Sequence, residues 1–227
     1  MLDKFIAIEP VCCNKYQTKM NENVPYPYLG NELSEQEKIE TIEYHFRHIL
    51  QAIGMDLNDD SLQKTPHRYA KMLVKELFQG LNDKAFPSIT TQDNKFHYKQ
   101  PLIESHISIQ SVCEHHFVPI LGYCHIAYIP KDRVIGLSKL NRVAKYFARR
   151  PQVQERLTKQ ISTKLCEILE TPDVAVVIDA LHLCVRMRGI QDQDALTRTM
   201  DLGGVFTQDS FRNEFLSHIP KLSEMKL

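Results

Sequence analysis

The stretch VAVVIDALHLCVRMR, residues 174–188, begins with apolar residues typical of a buried strand and ends in residues suited to catalysis and binding. Side chains alternate between the two faces of a β-strand, so an extended conformation would place every second residue on one face. That face carries apolar side chains first, and then His182, Cys184, Arg186 and Arg188. One strand could therefore offer a metal ligand, a proton-transfer group and an anion-binding group, although a bulge would change this register.

A second group of potential ligands lies in the sequence SVCEHHFVP, residues 111–119. Cys113 and His116 are close enough in sequence for one turn to present both side chains to one ion, but two ligands cannot complete a tetrahedron. A structural zinc ion takes four protein ligands, whereas a catalytic zinc takes three and keeps one position for water. The two motifs together predict a catalytic zinc site, to which a distant part of the chain must contribute.

Two alternatives stay open at this point. A Cys-x-x-His pair also arises by chance, and a buried cysteine is ordinarily a small apolar core residue. A structural zinc site is possible if Cys124, Cys166 or His115 supplies a fourth ligand. The sequence has no CxxC pair to support such a site, and it lacks the HExxH and PCxxC motifs of other catalytic zinc enzymes.

Charge and composition limit the possible functions. The 227 residues include 28 Lys or Arg and 28 Asp or Glu, so the formal net charge is zero. This balance argues against non-specific binding to nucleic acid or to an anionic membrane. No apolar run is long enough to span a membrane and no secretory signal is evident, so we expect a cytoplasmic protein. The six cysteines lack regular spacing, which favours reduced thiols over a disulfide framework.

Local sequence signals predict the order of the elements. The capping-box pattern at 34–37 and the Pro66 signal predict two amphipathic helices. Strands are predicted at about 95–110 and 123–129. Ser138 and Pro151 are then predicted to begin two further helices, before the strand at 174–188.

This order, with helices and an antiparallel sheet segregated along the chain, indicates the α+β class. The length suits one sizeable core. We therefore expect residues 1–33 to form a mobile N-terminal extension and residues 34–227 to form a single domain with leading helices.

Several long, ordered blocks of the sequence form a further pattern, namely residues 60–62, 65–68, 111–117, 127–132, 135–142, 150–158, 182–184, 188–190 and 202–204. These blocks closely resemble the GTP cyclohydrolase I family, and the resemblance covers nearly everything after residue 34. It implies hydrolysis of GTP to 7,8-dihydroneopterin triphosphate and formate, the entry step to folate and other pterins. It also implies the tunnelling fold, in which antiparallel sheets with helices outside join into a barrel across subunits, usually as a toroidal homodecamer of two pentamers.

The resemblance implies roles for the residues of the two motifs. Cys113, His116 and Cys184 match the zinc ligands of the family. His182 matches the acid/base group of the proton transfers, a role that suits imidazole near neutral pH. His115 matches a companion donor or proton shuttle, and a hydrogen bond that merely supports a ligand is an equally good interpretation of this residue.

The base and the triphosphate of GTP require other side chains. Glu155 resembles the carboxylate that accepts the guanine N–H groups, and Gln154 could assist through a nearby contact. By composition alone, a carboxylate in the first turn of a helix is more often solvated. The chain has neither a GxxxxGK[ST] loop nor a GxGxxG motif, so a different phosphate cradle is required. The residues that match it are Arg68, Lys71, Ser138, Lys139, Arg142 and Arg188.

Two other functions compete with this prediction. A binding module that uses zinc structurally would need a fourth protein ligand and a basic face. A related tunnelling-fold enzyme could act on another pterin or on a 7-deazaguanine precursor, since a fold alone does not determine the reaction. Such a relative would share Glu155, whereas the predicted zinc ligands together with Arg142 and Arg188 favour GTP.

Overall fold

The structure is a computed structural model that describes residues 24–220. It divides into two compact units, of which the first ends at Glu32 and the second begins at Leu33. In residues 24–32, which form no helix or strand, the backbone N–H of Tyr28 donates to the carbonyl of Tyr26 at 2.8 Å. The predicted mobility of residues 1–33 stays a prediction, and residues 1–23 lie outside the described part of the chain.

Two helices begin the second unit, as the capping and proline signals predict. Helix α1 spans Glu35–Ala52, and helix α2 spans Thr65–Met72 and continues as a π-helical turn over Leu73–Leu77. The Ser34 hydroxyl accepts a hydrogen bond from the backbone N–H of Glu37, and the Glu37 carboxylate accepts one from the backbone N–H of Ser34. This reciprocal capping satisfies two donors that the helix end would otherwise leave unpaired.

A five-stranded sheet forms the centre of the second unit. The strands within residues 24–220 are β1 (Thr91–Asp93), β2 (Leu102–Cys113), β3 (Pro119–Tyr128), β4 (Arg133–Ile135), β5 (Pro151–Gln152), β6 (Val174–His182) and β7 (Thr197–Leu202). The sheet has the order β5-β2-β3-β6-β7, and β1 pairs separately with β4. Neighbours in the sheet are antiparallel, except that β2 and β5 run parallel.

The remaining helices cover both faces of this sheet. They are α3 (Leu137–Ala148), α4 (Gln154–Leu169), α5 (Leu183–Arg186) and α6 (Asp209–Ser217). On one face, Leu140 of α3 and Leu157 of α4 are buried with Ile178 of the sheet. On the other face, Phe215 of α6 is buried with Val177 in a smaller cluster. The predicted α+β class is confirmed. No helix within residues 24–220 has the length and apolar character needed to cross a membrane.

The stretch that opens the sequence analysis is not extended throughout. Strand β6 ends at His182, and the next four residues form α5, so the prediction of one strand through Arg188 is wrong. His182 is the last paired residue and lies opposite Ile120 of β3. The next position of β6 would face Pro119, which has no N–H to donate to the ladder. The chain therefore leaves the sheet between His182 and Cys184.

Other predicted boundaries also differ from the structure. Strand β2 begins and ends later than the predicted 95–110, and β3 begins before the predicted 123–129. Ser138 is in the first turn of α3 and does not cap it, because Gly136 occupies the N-cap position. Pro151 pairs with β2 as part of β5, so α4 begins only after this short strand.

A polar cluster is buried in the sheet, on the same face as Val177. His125 and Asp179 are both fully buried. Arg198 donates two hydrogen bonds to the Asp179 carboxylate, at 2.6 and 2.8 Å, which pairs the buried charge. Nε2 of His125 lies 3.6 Å from the same carboxylate. Burial lowers the pKa of His125 to about 4, although the charge of Asp179 opposes this shift.

His125 should make the protein less stable in mild acid. The folded state keeps its imidazole neutral down to about pH 4, whereas the unfolded chain protonates it below 6.5. The unfolded state therefore binds more protons between these values, and stability falls as the pH falls through this window. We expect the free energy of unfolding in urea to fall by roughly 2 kcal/mol between pH 7 and pH 5 from this residue.

The test variant is His125→Gln, and its matched control is His48→Gln, because His48 is an exposed residue of α1. The His125 variant should show a flatter dependence of unfolding free energy on pH, and the His48 variant should keep the original slope. Equal slopes in the native protein and the His125 variant would show that His125 does not cause the acid sensitivity.

Candidate metal centre and active site

Three of the predicted site residues converge at one end of the sheet. Cys113 is the last residue of β2, His116 lies in the turn that follows, and Cys184 lies in α5 directly after β6. Their potential ligand atoms, two sulfurs and one imidazole nitrogen, lie within 4.8 Å of one another. Cys113 is buried, Cys184 is partly buried and His116 is exposed. The fold therefore brings these side chains within reach of a single ion.

The chemistry of this donor set fits zinc. Two thiolates and one imidazole form a known ligand set of catalytic zinc, whereas magnesium and calcium prefer oxygen ligands. Within residues 24–220 no fourth histidine, cysteine or carboxylate joins the group. The set therefore suits a site with one open position, and the alternative of a four-ligand structural zinc site gains no support from the described residues.

Backbone hydrogen bonds shape the turn after β2. The N–H of Cys113 donates to the carbonyl of Val118 at 2.9 Å, and its carbonyl accepts from the N–H of Phe117 at 2.8 Å. Phe117 has a φ of 54°, in the left-handed region, where the chain turns back into β3. The N–H of Glu114 donates to the carbonyl of Gln152 at 3.0 Å. The turn after β2 is thus attached to the β2–β3 hairpin and to the segment that leads into α4.

The surroundings of the Cys184 thiol favour its protonated form. Burial raises the pKa of the Cys184 thiol, and the adjacent Cys113 thiol raises it further. A bound metal ion reverses this effect, because coordination stabilises the thiolate. Nη1 of Arg188 lies 3.0 Å from Nε2 of His116, so a permanent positive charge stands beside the group. An anionic substrate could contact this guanidinium while its reacting atom approaches the metal.

His182 is the last residue of β6 and stands two residues before Cys184. It is partly buried, and its Nε2 lies 2.7 Å from Oε1 of Gln154. Burial lowers the pKa of His182, while the negative charge of Glu155 opposes this shift. A neutral imidazole can accept a proton near neutral pH. His115 is exposed, and its Nδ1 lies 3.8 Å from Sγ of Cys113.

The first turn of α4 carries three polar side chains with different surroundings. Gln154 is buried, whereas Glu155 is exposed. Arg156 donates two hydrogen bonds to Glu114, at 2.6 and 3.1 Å, and these hold the pKa of the Glu114 carboxyl below its usual value. This ion pair joins the turn after β2 to the helix that carries Glu155. Sequence reasoning missed the pair, because no spacing rule connects residues so distant along the chain.

The six residues predicted to bind the triphosphate occupy three places. They are Arg68 and Lys71 on α2, Ser138, Lys139 and Arg142 on α3, and Arg188 after α5. Among these six residues, Arg188 contacts one of the three candidate metal ligands, His116, in the described part of the chain. Nζ of Lys139 donates to the carbonyl of Ser88 at 2.8 Å, and the α2 cations are exposed. Their role in binding phosphate stays a prediction.

Comparisons with known proteins identify the relatives of this chain. A sequence model of the GTP cyclohydrolase I family matches residues 42–220. A protein of Aeromonas salmonicida named GTP cyclohydrolase 1 is 52% identical over 86% of this chain and 90% of its own length. Proteins of the same name from Flavobacterium johnsoniae and Vibrio campbellii are 52% and 49% identical, over 83% and 84% of this chain and 84% and 88% of their own lengths.

The fold and the site define an α+β enzyme with a Cys-His-Cys group capable of holding a metal. The chain belongs to the GTP cyclohydrolase I family. The predicted enzyme class, a GTP cyclohydrolase I, is thereby confirmed. The curled antiparallel sheet with α3 and α4 on one face agrees with the tunnelling fold of this family.

Proposed function

We propose that this protein catalyses the zinc-dependent hydrolysis of GTP to 7,8-dihydroneopterin triphosphate and formate, the first step of tetrahydrofolate and pterin synthesis. The observation that carries the proposal is the group of Cys113, His116 and Cys184, with His182 at the end of the adjacent strand. These three residues would hold the ion, and zinc would supply Lewis-acid activation of water near neutral pH. Membership of the family supports GTP as the substrate.

Histidines would carry the protons of this reaction. Water adds to C8 of the guanine, the imidazole ring of the base opens, and a second water releases the formyl group as formate. The ribose carbons then rearrange and close onto the freed amino group with loss of one water, so that one water is consumed overall. These steps require a group that takes a proton in one step and returns it in another, and we assign this role to His182. His115 would act as a second proton donor. Its contact with Cys113 also supports the alternative role of holding a ligand in place.

Glu155 would select guanine over adenine. Its exposed carboxylate can accept hydrogen bonds from both the N1–H and the 2-amino group of guanine, and adenine offers neither at these positions. The effect of Glu155 on the pKa of His182 supports their proximity in one site. The assisting contact that we predict for Gln154 stays part of this proposal, and its hydrogen bond to His182 indicates one form that it could take.

Cations would bind the triphosphate without a glycine-rich phosphate loop. Arg188 lies beside the metal-binding group and is the best-placed residue for the phosphate nearest the reacting base. Ser138 lies in the first turn of α3, where backbone N–H groups favour an anion. Lys139 and Arg142 on the same helix, together with Arg68 and Lys71 on α2, would complete the cradle.

We further propose that the protein assembles as a homo-oligomer, in the form of a toroidal decamer of two pentamers. Strand β7 is at one edge of the sheet, and β5 covers only two positions of β2 at the other edge. Unpaired strand edges are suited to pairing with further copies of the same sheet. Native mass measurement of the purified chain tests the assembly. The thiols of the metal-binding group must be reduced, which supports a cytoplasmic location.

Incubation of the zinc-loaded protein with GTP should release formate together with a product that becomes a fluorescent pterin after oxidation. ATP should give neither product. Glu155→Gln replaces one acceptor with a donor that faces a guanine N–H, so we expect kcat/KM for GTP to fall about 10- to 100-fold.

Glu167→Gln is the matched control, since Glu167 is an exposed carboxylate farther along the same helix. This variant should keep the native rate. Formate release from ATP at the rate seen with GTP, or an unchanged Glu155→Gln variant, would contradict the role assigned to Glu155. Absence of formate with GTP would refute the proposed function.

A further inference from the structure

Gln154, the first residue of α4, has a side-chain amide whose orientation is determined by two strands. The residue is 1% exposed, and its Nε2 donates to the backbone carbonyls of Ile178 and Thr197, each at 2.9 Å. A carbonyl oxygen only accepts hydrogen bonds, so Nε2 and not Oε1 must face these two groups. The amide therefore has one consistent orientation, in which Oε1 points towards His182.

Two threonine hydroxyls support the same orientation. Oγ1 of Thr158 donates to the backbone carbonyl of Gln154 at 2.8 Å, which uses its only proton. Oγ1 of Thr199 lies 2.6 Å from Oγ1 of Thr158. Because the Thr158 proton is already used, Thr199 must donate its own hydroxyl proton to Thr158. The lone pairs of Thr199 Oγ1 are then available to accept from Nε2 of Gln154 at 3.1 Å. Nε2 has two hydrogens and three acceptors within 3.1 Å, so Thr199 shares one hydrogen with a carbonyl in a bifurcated bond. The orientation of the amide is still set by the two carbonyls, which can only accept.

This network determines which nitrogen of His182 carries a proton. Nε2 of His182 lies 2.7 Å from Oε1 of Gln154, and an unprotonated Nε2 would place two lone pairs against each other at that distance. We propose that Gln154 is a positioning residue that keeps His182 protonated at Nε2 and leaves Nδ1 as the nitrogen that exchanges protons with the substrate. The proposal rests on the acid/base role of His182 in the proposed function.

A direct contact between Gln154 and the guanine would have different consequences. Strand carbonyls engage Nε2, and His182 engages Oε1, so a guanine N–H would have to use the remaining lone pair of Oε1. A residue that binds the base mainly affects the affinity for GTP. A residue that acts through the acid/base group mainly affects turnover. Separate measurement of kcat and KM distinguishes these roles.

The first test reads the tautomer directly and needs no substitution of Gln154. Zinc-loaded protein without GTP is labelled with ¹⁵N-histidine, and its ring nitrogens are observed by NMR near neutral pH. The signal of His182 is assigned by its loss in His182→Ala. We expect a protonated Nε2 and an unprotonated Nδ1. A signal with the proton on Nδ1, or an equal mixture of the two forms, would overturn the proposal.

The second test uses Gln154→Met, which keeps the length of the side chain but removes the acceptor for His182. We expect kcat to fall on the order of 10- to 100-fold, with the KM for GTP and the zinc content within about twofold of native. The His182 signal should change to a mixture of tautomers. A raised KM with an unchanged kcat would assign Gln154 to direct binding of the base and overturn the positioning role.

Gln160→Met is the matched control. Gln160 lies in the same helix, is equally buried, and accepts a hydrogen bond from Gln152, a residue that makes no contact with His182 in the described network. This variant should leave kcat and the tautomer of His182 unchanged, even if it lowers stability. The outcome of the NMR test does not depend on the reaction, so native protein that releases no formate would refute the proposed function and still leave the tautomer result readable.

Discussion

Three single variants, Cys113→Ala, His116→Ala and Cys184→Ala, should each lose both zinc binding and GTP hydrolysis. Each change leaves two protein ligands, fewer than catalytic zinc sites use. Mutation of a residue that only hydrogen-bonds to a metal ligand lowers metal affinity by about 10- to 100-fold. Loss of a ligand itself should therefore lower zinc affinity by more than ~100-fold. Zinc content by metal analysis and formate release provide the two measurements.

Cys124→Ala and Cys166→Ala are the controls for this experiment. Cys124 is fully buried in the core, where burial raises the pKa of its thiol, and Cys166 lies partly buried on α4. Both variants should retain zinc and activity, although the Cys124 variant should lose some stability because it leaves a small cavity. If either cysteine proved necessary for zinc binding, the three-ligand site would be wrong and the structural alternative would gain.

His182→Ala should separate proton transfer from metal binding. The variant keeps the Cys-His-Cys group, so we expect native zinc content and near-native GTP binding. Turnover should fall by about 10² to 10⁴, the range expected for loss of a positioned acid or base. Measurement of kcat, zinc content and GTP affinity on the same preparation tests all three expectations.

His45→Ala offers a comparison of the same chemical change at an exposed position of α1, and it should behave as the native protein. His115→Ala then distinguishes the two roles considered for His115. A second proton donor should affect turnover with zinc retained, whereas a residue that supports Cys113 should lower zinc affinity. Normal turnover of His182→Ala with its metal intact would remove His182 from the mechanism.

Short-range signals in the sequence were sufficient for the elements whose stability is local. The capping box at Ser34 and Glu37 and the proline at Pro66 predict α1 and α2, because the groups that satisfy each helix end lie within the same few residues. The proximity of Cys113 and His116 also follows from sequence, since a single turn can bring both side chains to one side. The long blocks that resemble the family predicted the remaining site residues and the class of enzyme. The comparisons confirm the class of enzyme, and the roles of the site residues stay predictions.

Pairing between strands that are distant in sequence determines where β6 ends and where Cys184 lies. Strand β6 stops at His182 because the next partner would be Pro119 of β3, a contact that alternation along residues 174–188 cannot reveal. Cys184 approaches Cys113 and His116 from α5 and not from the predicted strand. Its position therefore depends on where β3 begins.

The sequence by itself determined the helices that carry their own caps, the α+β class, and the residue types suited to zinc and GTP. Only the tertiary structure decided that Glu114 pairs with Arg156 and that Gln154 bonds to His182. Both contacts join α4 to the ends of strands that are far away along the chain. Side chains so far apart meet only after the sheet has formed and the helix has packed on it, because no local rule of spacing brings them together.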